Sequence, residues 1–328
     1  MARSLTTPAV PASFFGMVLG LAGLGTAWRA AHQAWGLPAV VGEGFAIAAD
    51  AVWAIVLALY ALKWLLVREA AEREAADPVQ CCFIGLVGVA TMLAGEAIAP
   101  YARGAAEALF VLGAAFTLAF AVWRTGALWR GGRDPATTTA VLYLPTVAGS
   151  FVCATVGSGL GYEDWGQLFF GCGLFSWLAV ESVLLHRLLT APALADPLRP
   201  TLGIQLAPPN VGAVAYLSVT HGPPDVFAHA LLGYGCLQAV IVLRLATWIW
   251  RGAFNPGYWA FTFGATALAT APLEMVLRGD SGAVSLIAPA TFGLANLVVA
   301  FAAIGTLWLL FRGQLLPTAP RTVAPTAS

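Results

Sequence analysis

The sequence predicts an all-α polytopic membrane protein: ten transmembrane helices in five quasi-repeated hairpins, odd helices around a wet central axis and even helices outside. Three observations predict it. Of 328 residues, 59% are hydrophobic and 10% charged, with a mean hydropathy of +0.81. The apolar residues fall into many separate long runs. Spacings near 60 residues recur along the chain. A soluble domain carries about 25% charged residues, and a tenth cannot cover a globule of this size. Lys and Arg total 16, as do Asp and Glu, so no charge bias points to nucleic acid as a partner.

A helix needs about 20 mainly apolar residues to cross the hydrocarbon core. Such runs lie near 13–31, 43–66, 79–98, 105–127, 140–160, 165–188, 202–220, 226–250, 257–277 and 284–311. A barrel would show short alternating segments instead, and the run Val284 to Phe311 is almost unbroken. Arg3 precedes the first run as in a secretory signal, but that run is long for an h-region and nine more follow. This gives a short segment 1–12, one transmembrane domain 13–311 and a tail 312–328. With the N-terminus inside, thirteen of the sixteen Lys and Arg fall on the cytoplasmic side and only Arg29, Arg103 and Arg278 outside. The positive-inside rule therefore puts both termini in the cytoplasm and the protein in the inner (plasma) membrane.

The repeat shows in the breakers. Pro145 in the fifth span and Pro208 in the seventh are 63 residues apart; stepping back 57 from Pro145 reaches Gly88, and forward 56 from Pro208 reaches Gly264. In the even spans, Arg124, Glu181 and Arg244 are separated by 57 and 63, and Gly171-Cys172-Gly173 is echoed 62 residues later by Gly233-Tyr234-Gly235. Proline removes a backbone hydrogen bond and clashes with the preceding turn, and glycine permits bends and close approach. Carbonyls freed in a membrane need protein or cavity water, so five breaker-bearing helices read as an inner ring. In the first span the bend falls to Gly16 or Gly20.

The even spans carry the charges Asp50, Arg124, Glu181 and Arg244. Glu181 and Arg244, at matched depth on neighbouring hairpins, are expected to pair as a structural ion pair, and Asp50 to be held by a polar neighbour. Glu96 and Glu274 sit near outer helix ends, where they shape an outer vestibule. The inner helices offer the hydroxyls Thr91, Thr146, Ser150, Ser218, Thr262 and Thr266 but no fixed cation. No catalytic constellation is present: the chain holds no HExxH, GxSxG or Walker sequence, and His221 and His229 lie outside ligand spacing. The vicinal Cys81-Cys82 point about 100° apart on a helix. No enzyme activity, metal or cofactor is expected.

Six segments, in order over the ten spans, carry a resemblance: Phe14-Phe15-Gly16-Met17-Val18-Leu19-Gly20, Thr91-Met92-Leu93, Tyr143-Leu144-Pro145, Gly203-Ile204-Gln205-Leu206-Ala207-Pro208, Gly233-Tyr234-Gly235 and Trp259-Ala260-Phe261-Thr262-Phe263-Gly264. From about Pro11 to Leu316 the chain resembles the tellurite-resistance/dicarboxylate transporter family of the bacterial TehA type, which includes the slow anion channels of plant guard cells. The resemblance implies odd helices lining a pore, a homotrimer with one pore per protomer, and an aromatic gate on the ninth helix, here Phe263 before Gly264. Phe261 lies about 200° around the helix and cannot share that direction. Where relatives carry kink prolines in the first and third helices, this chain has Val18 and Gly88. The kink positions are then Gly20, Gly88, Pro145, Pro208 and Gly264, and Thr91, Thr146, Ser150 and Thr262 are candidate pore-lining hydroxyls. The implied function is an anion channel, or channel-like transporter, passing small anions through a neutral pore. The alternative is a proton-coupled C4-dicarboxylate or tellurite transporter.

Overall fold

In a computed structural model the described residues, 9–316, are helical throughout, with no strand among them. The first hairpin runs from a 3₁₀ turn, Ala12–Phe14, into α1 (Phe15–Trp35) and returns as α2 (Ala39–Leu66); a short surface helix, α3 (Arg68–Ala76), follows. The second runs from 3₁₀ segment Gln80–Gly85 into α4 (Leu86–Ile98) and back along α5 (Arg103–Trp129). The third opens as Ala140–Tyr143, passes through one π-helical turn, Leu144–Ala148, and becomes α6 (Gly149–Gly159) before α7 (Glu163–Thr190). In the fourth, 3₁₀ segment Asp196–Leu206 precedes α8 (Ala207–Ser218) and α9 (Val226–Ile249); in the fifth, Pro256–Phe261 precedes α10 (Thr262–Leu277) and α11 (Ala283–Phe311).

One helix of each hairpin is thus built in two pitches and the other is a continuous α-helix of 24 to 29 residues. The two-pitch helices form a closed ring: α1 packs on α4, α4 on α6, α6 on α8, α8 on α10, and α10 on α1. Each continuous helix packs outside its own hairpin partner. Burial follows: in the apolar windows of the first, third, fifth and ninth spans 67–83% of residues are buried, against 17–33% in the even spans. Ile47 and Ile55 on α2, Val111 and Val122 on α5, and Leu297 and Ile304 on α11 remain exposed, as lipid-facing side chains do where hydrocarbon replaces water.

Nine stretches among the described residues are long and apolar enough to cross a membrane. The expected span 202–220 is not among them, because its helical segment carries Asp196, Arg199, Gln205 and Asn210 and is rich in proline. Its residues 200–206 and 208–213 are nevertheless buried. Asn210 Nδ2 donates to the Leu206 carbonyl at 2.7 Å, while Asn210 Oδ1 and Gln205 Oε1 are buried without a partner among the described residues.

The breakers act at the change of pitch. Pro145 stands inside the π-helical turn and Pro208 in the first turn of α8, where a missing N–H costs least. Gly20 departs from expectation: it lies inside regular α1, and the pitch change comes earlier, at Phe14 and Phe15. Its role is close approach, because a Cβ there would lie 2.9 Å from the Trp259 ring. Gly88 likewise admits α5, with a Cβ meeting the Gly113 carbonyl at 2.5 Å, and a Cβ on Gly113 would meet the Gly88 carbonyl at 2.7 Å. At the ends remote from the 3₁₀ segments, Asp225 caps α9 by accepting from the amides of Phe227 and Ala228, each at 3.0 Å. The Tyr216 hydroxyl and these amides hold its carboxyl below the usual carboxylate range.

Gly88→Val is expected to destabilise the detergent-solubilised protein by about 1–3 kcal/mol, the usual penalty of overpacking. Gly44→Ala, which meets nothing within 4 Å, should be neutral or stabilising. Equal melting temperatures for the two variants would contradict the packing assigned to Gly88.

Candidate functional site

Two cavities lie inside the ring. The larger, about 670 Å³, is walled by the 3₁₀ halves and the junctions that follow them, among them Leu19, Tyr143, Phe151, Thr201, Pro208 and Trp259. It reaches the face where the chain begins, with Pro11 and Ser13 at its rim together with Gln314, Leu315 and Leu316. The smaller, about 40 Å³, lies among the α-helical halves between Gly23, Leu93, Val152 and Val214. Phe263 and Val211 border both.

The position of Phe263 follows from its neighbours. Asn255 caps the 3₁₀ segment by accepting from the Gly257 amide at 2.9 Å, and Thr262 donates to the Trp259 carbonyl at 2.8 Å. Gly264 brings α10 against the start of α8: a Cβ there would lie 2.5 Å from Leu206 Cβ and 2.7 Å from the Ala207 nitrogen. Phe263 is thereby held at the axis, its ring against Gly23 of α1, where a Cβ would approach Cδ2 to 3.3 Å. Phe261 turns the other way and packs with Leu202, Leu206, Ile249 and Tyr258.

The hydroxyls divide in the same manner. Thr91 is buried between α4 and α2, donating to the Val87 carbonyl at 2.8 Å and accepting from Trp53 Nε1 at 3.2 Å. Thr262 is fully buried beside Gly20. Thr146 and Ser150 are half-buried, and none of these four lines either cavity. The smaller cavity takes its hydroxyls from Thr26, Thr155, Thr266 and Thr270. Side-chain direction around each helix decides the matter, and repeat spacing alone does not fix it.

Glu181 and Arg244 do not pair. Glu181 accepts from the hydroxyls of Tyr143 and Tyr234, the latter at 2.7 Å, and from Trp177 Nε1 at 2.9 Å, while Arg244 is exposed. Three neutral donors satisfy the carboxylate, so the long arginine stem gains nothing by folding inward. Because Tyr143 lines the larger cavity, Glu181 ties that wall to α7. Asp50 likewise differs from expectation, for its Oδ1 is buried without a hydrogen-bond partner among the described residues.

A second polar assembly escaped the sequence. Lys63 and Glu74, both buried, approach to 2.8 Å. Glu74 also accepts from the Ala12 amide at 2.8 Å and the Tyr60 hydroxyl at 3.1 Å, and Lys63 donates to the Val10 carbonyl at 3.2 Å. The assembly fixes the entry into α1 at the rim of the larger cavity. Its signal was the amphipathic stretch Arg68–Ala76 directly after a lysine inside an apolar span.

Glu181→Ala strands three donors, each costing about 1–3 kcal/mol when buried unpaired, and is expected to lower the melting temperature clearly. Arg244→Ala should fall within about 0.5 kcal/mol of the parent, as surface changes do. Equal losses in the two variants would restore the ion pair.

The geometry is that of a helical ring enclosing two cavities. The SLAC1 family profile, described as a voltage-dependent anion channel, matches residues 9–307. The chain is 36% identical over 306 residues to the tellurite resistance protein TehA homolog of Haemophilus influenzae, covering 93% of this chain and 92% of that protein. It is 25% identical over 305 residues to the S-type anion channel SLAH3 of Arabidopsis thaliana, covering 88% of this chain and 46% of the relative. To the guard cell S-type anion channel SLAC1 of the same plant it is 24% identical over 224 residues, 66% of this chain and 39% of the relative. The chain therefore spans less than half the length of these plant relatives. Matched over nearly its whole length, the chain belongs to the SLAC1 family of voltage-dependent anion channels.

Proposed function

We propose that the protein conducts small monovalent anions along the ring axis and that Phe263 is the gate. The observation that carries this reading is the single phenyl ring bordering both cavities. A ring in an apolar neck blocks ions sterically and by dewetting. It moves at modest cost, about 0.5–1.5 kcal/mol for a 30° departure from a rotamer. No lysine or arginine lines either cavity among the described residues, so no fixed cation holds the anion in place. Such a path favours anions that shed water cheaply over dicarboxylates, and fast passage over a bind-and-release cycle. The charge asymmetry supports placing the face of the larger cavity, with both termini, toward the cytoplasm of the inner membrane. The exposed apolar surfaces of the even helices support burial in lipid and a homotrimer, each protomer carrying its own conduit.

Phe263→Ala, reconstituted in a planar bilayer, is expected to give constitutive unitary anion currents where the parent is nearly silent. Parent-like currents from that variant would remove Phe263 as gate. Proton-driven uptake of C4-dicarboxylate or tellurite by the parent, without unitary currents in either protein, would favour the coupled-transporter reading.

A further inference from the structure

Beyond the Phe263 ring the path narrows to a cavity of about 40 Å³, against about 670 Å³ on the other side. An ion there passes close to the wall. Glu96 of α4 is part of that wall, and no other ionisable side chain lines this cavity among the described residues. A carboxylate in contact range of a passing anion opposes it directly, which leaves its presence in an anion path to be explained.

The cations nearby are engaged elsewhere. Arg29 of α1 clamps Glu43 of α2 through two contacts of 2.9 Å and donates to the Ala97 carbonyl at 3.2 Å. Tyr101, in the turn after α4, donates to the same Glu43 at 2.7 Å. Arg278, just after α10, donates to the carbonyls of Thr220 and Leu217, and His32 of α1 faces the Leu37 carbonyl at 2.6 Å. On α5, Arg103 and Glu107 pair with each other at 2.9 Å. Asp50 of α2 has no partner for its buried Oδ1, Arg29 and, from α10, Glu274 both lie within electrostatic range of Glu96, and α6 and α8 carry no charged residue. The Glu96 carboxylate itself has no hydrogen bond or ion pair within the described residues.

Three of the four threonines in the wall, all but Thr26, offer acceptors. Thr155, Thr266 and Thr270 spend their hydroxyl protons on the carbonyls of Phe151, Phe263 and Thr266, at 3.1, 3.0 and 3.0 Å. What they turn to the cavity is lone pairs. A protonated Glu96 offers a passing anion a donor while removing the opposing charge. We propose that Glu96 is a proton-binding site in the conduit wall and that an anion crosses the narrow cavity when Glu96 carries a proton. This rests on the conduit gated by Phe263, and it makes that conduit acid-activated. The proton binds the carboxylate and no bond of the anion is broken. Proton release afterwards to either face determines whether passage is merely permitted by acid or coupled to proton movement.

The test uses chloride flux in liposomes, with equal pH on both sides so that protein orientation is immaterial, in the open Phe263→Ala background. Flux should rise on the order of tenfold between about pH 8 and about pH 5, as a carboxylate beside the path is neutralised. Adding Glu96→Gln should leave flux high and flat over that range. Glu96→Ala, which leaves space in place of an amide, should do the same and covers the event that the glutamine variant fails to assemble. Adding Glu274→Gln should keep the rise, since Glu274 is outside the cavity wall. If the parent's pH rise survives in either Glu96 variant, the proposal falls and the conduit stands. If Phe263→Ala gives no chloride flux at any pH, the conduit falls and the proposal with it.

Discussion

The fold depends on one constraint: backbone polar groups placed at membrane depth must find partners without help from lipid. An unbroken α-helix meets it internally, and the five outer helices do so. Each inner helix changes pitch partway, and every such change leaves carbonyls and amides out of the regular ladder. These junctions are tolerated because all five turn toward a shared cavity and are sheathed by continuous helices. Remove the outer ring and the junctions meet hydrocarbon; remove the cavity and the freed groups have nothing polar to face.

The same junctions set the two widths of the path. A 3₁₀-helix is slimmer and rises about 2.0 Å per residue against 1.5 Å for an α-helix. The 3₁₀ segments, with one π-helical turn in the third hairpin, wall the larger cavity, and the α-helical segments wall the smaller. Phe263 belongs to the first turn on the α side of its junction, where the vestibule ends. Gly264 and Gly23 lack the Cβ atoms that would hold neighbouring backbones apart at that level. The position of the Phe263 ring between the two cavities is thus set by helix geometry and by two missing methyl groups.

Much of this was legible in the residues, for reasons that can be named. Long apolar runs separated by polar turns gave the elements, and breaker spacing separated inner from outer helices because a membrane punishes free backbone groups wherever they face lipid. The expected seventh span, 202–220, is a buried helical segment, but Gln205, Asn210 and its prolines keep it out of the nine stretches apolar enough to cross a membrane among the described residues. Glu181 shows where the reading failed: repeat register sets the depth of a residue but leaves its azimuth open, and three aromatic donors on facing helices took the carboxylate ahead of an arginine at equal depth. Thr91 and Thr262 miss the cavities for the same reason. Gly20 was misread because glycine serves bending and close packing alike, and the identity of the neighbour, here Trp259, is a tertiary fact.

The assembly of Lys63 and Glu74 bears on how the chain is made. The amide of Ala12 is received by a carboxylate 62 residues further on, beyond the whole of the first hairpin and inside the small helix that follows it. During synthesis α1 and α2 are made before Glu74, so the start of the first helix has no acceptor when it first meets the bilayer. Its docking is deferred until α3 has emerged at the membrane surface. The opening of the vestibule is therefore laid down as a late correction by a nine-residue segment too short and too polar to enter the lipid itself.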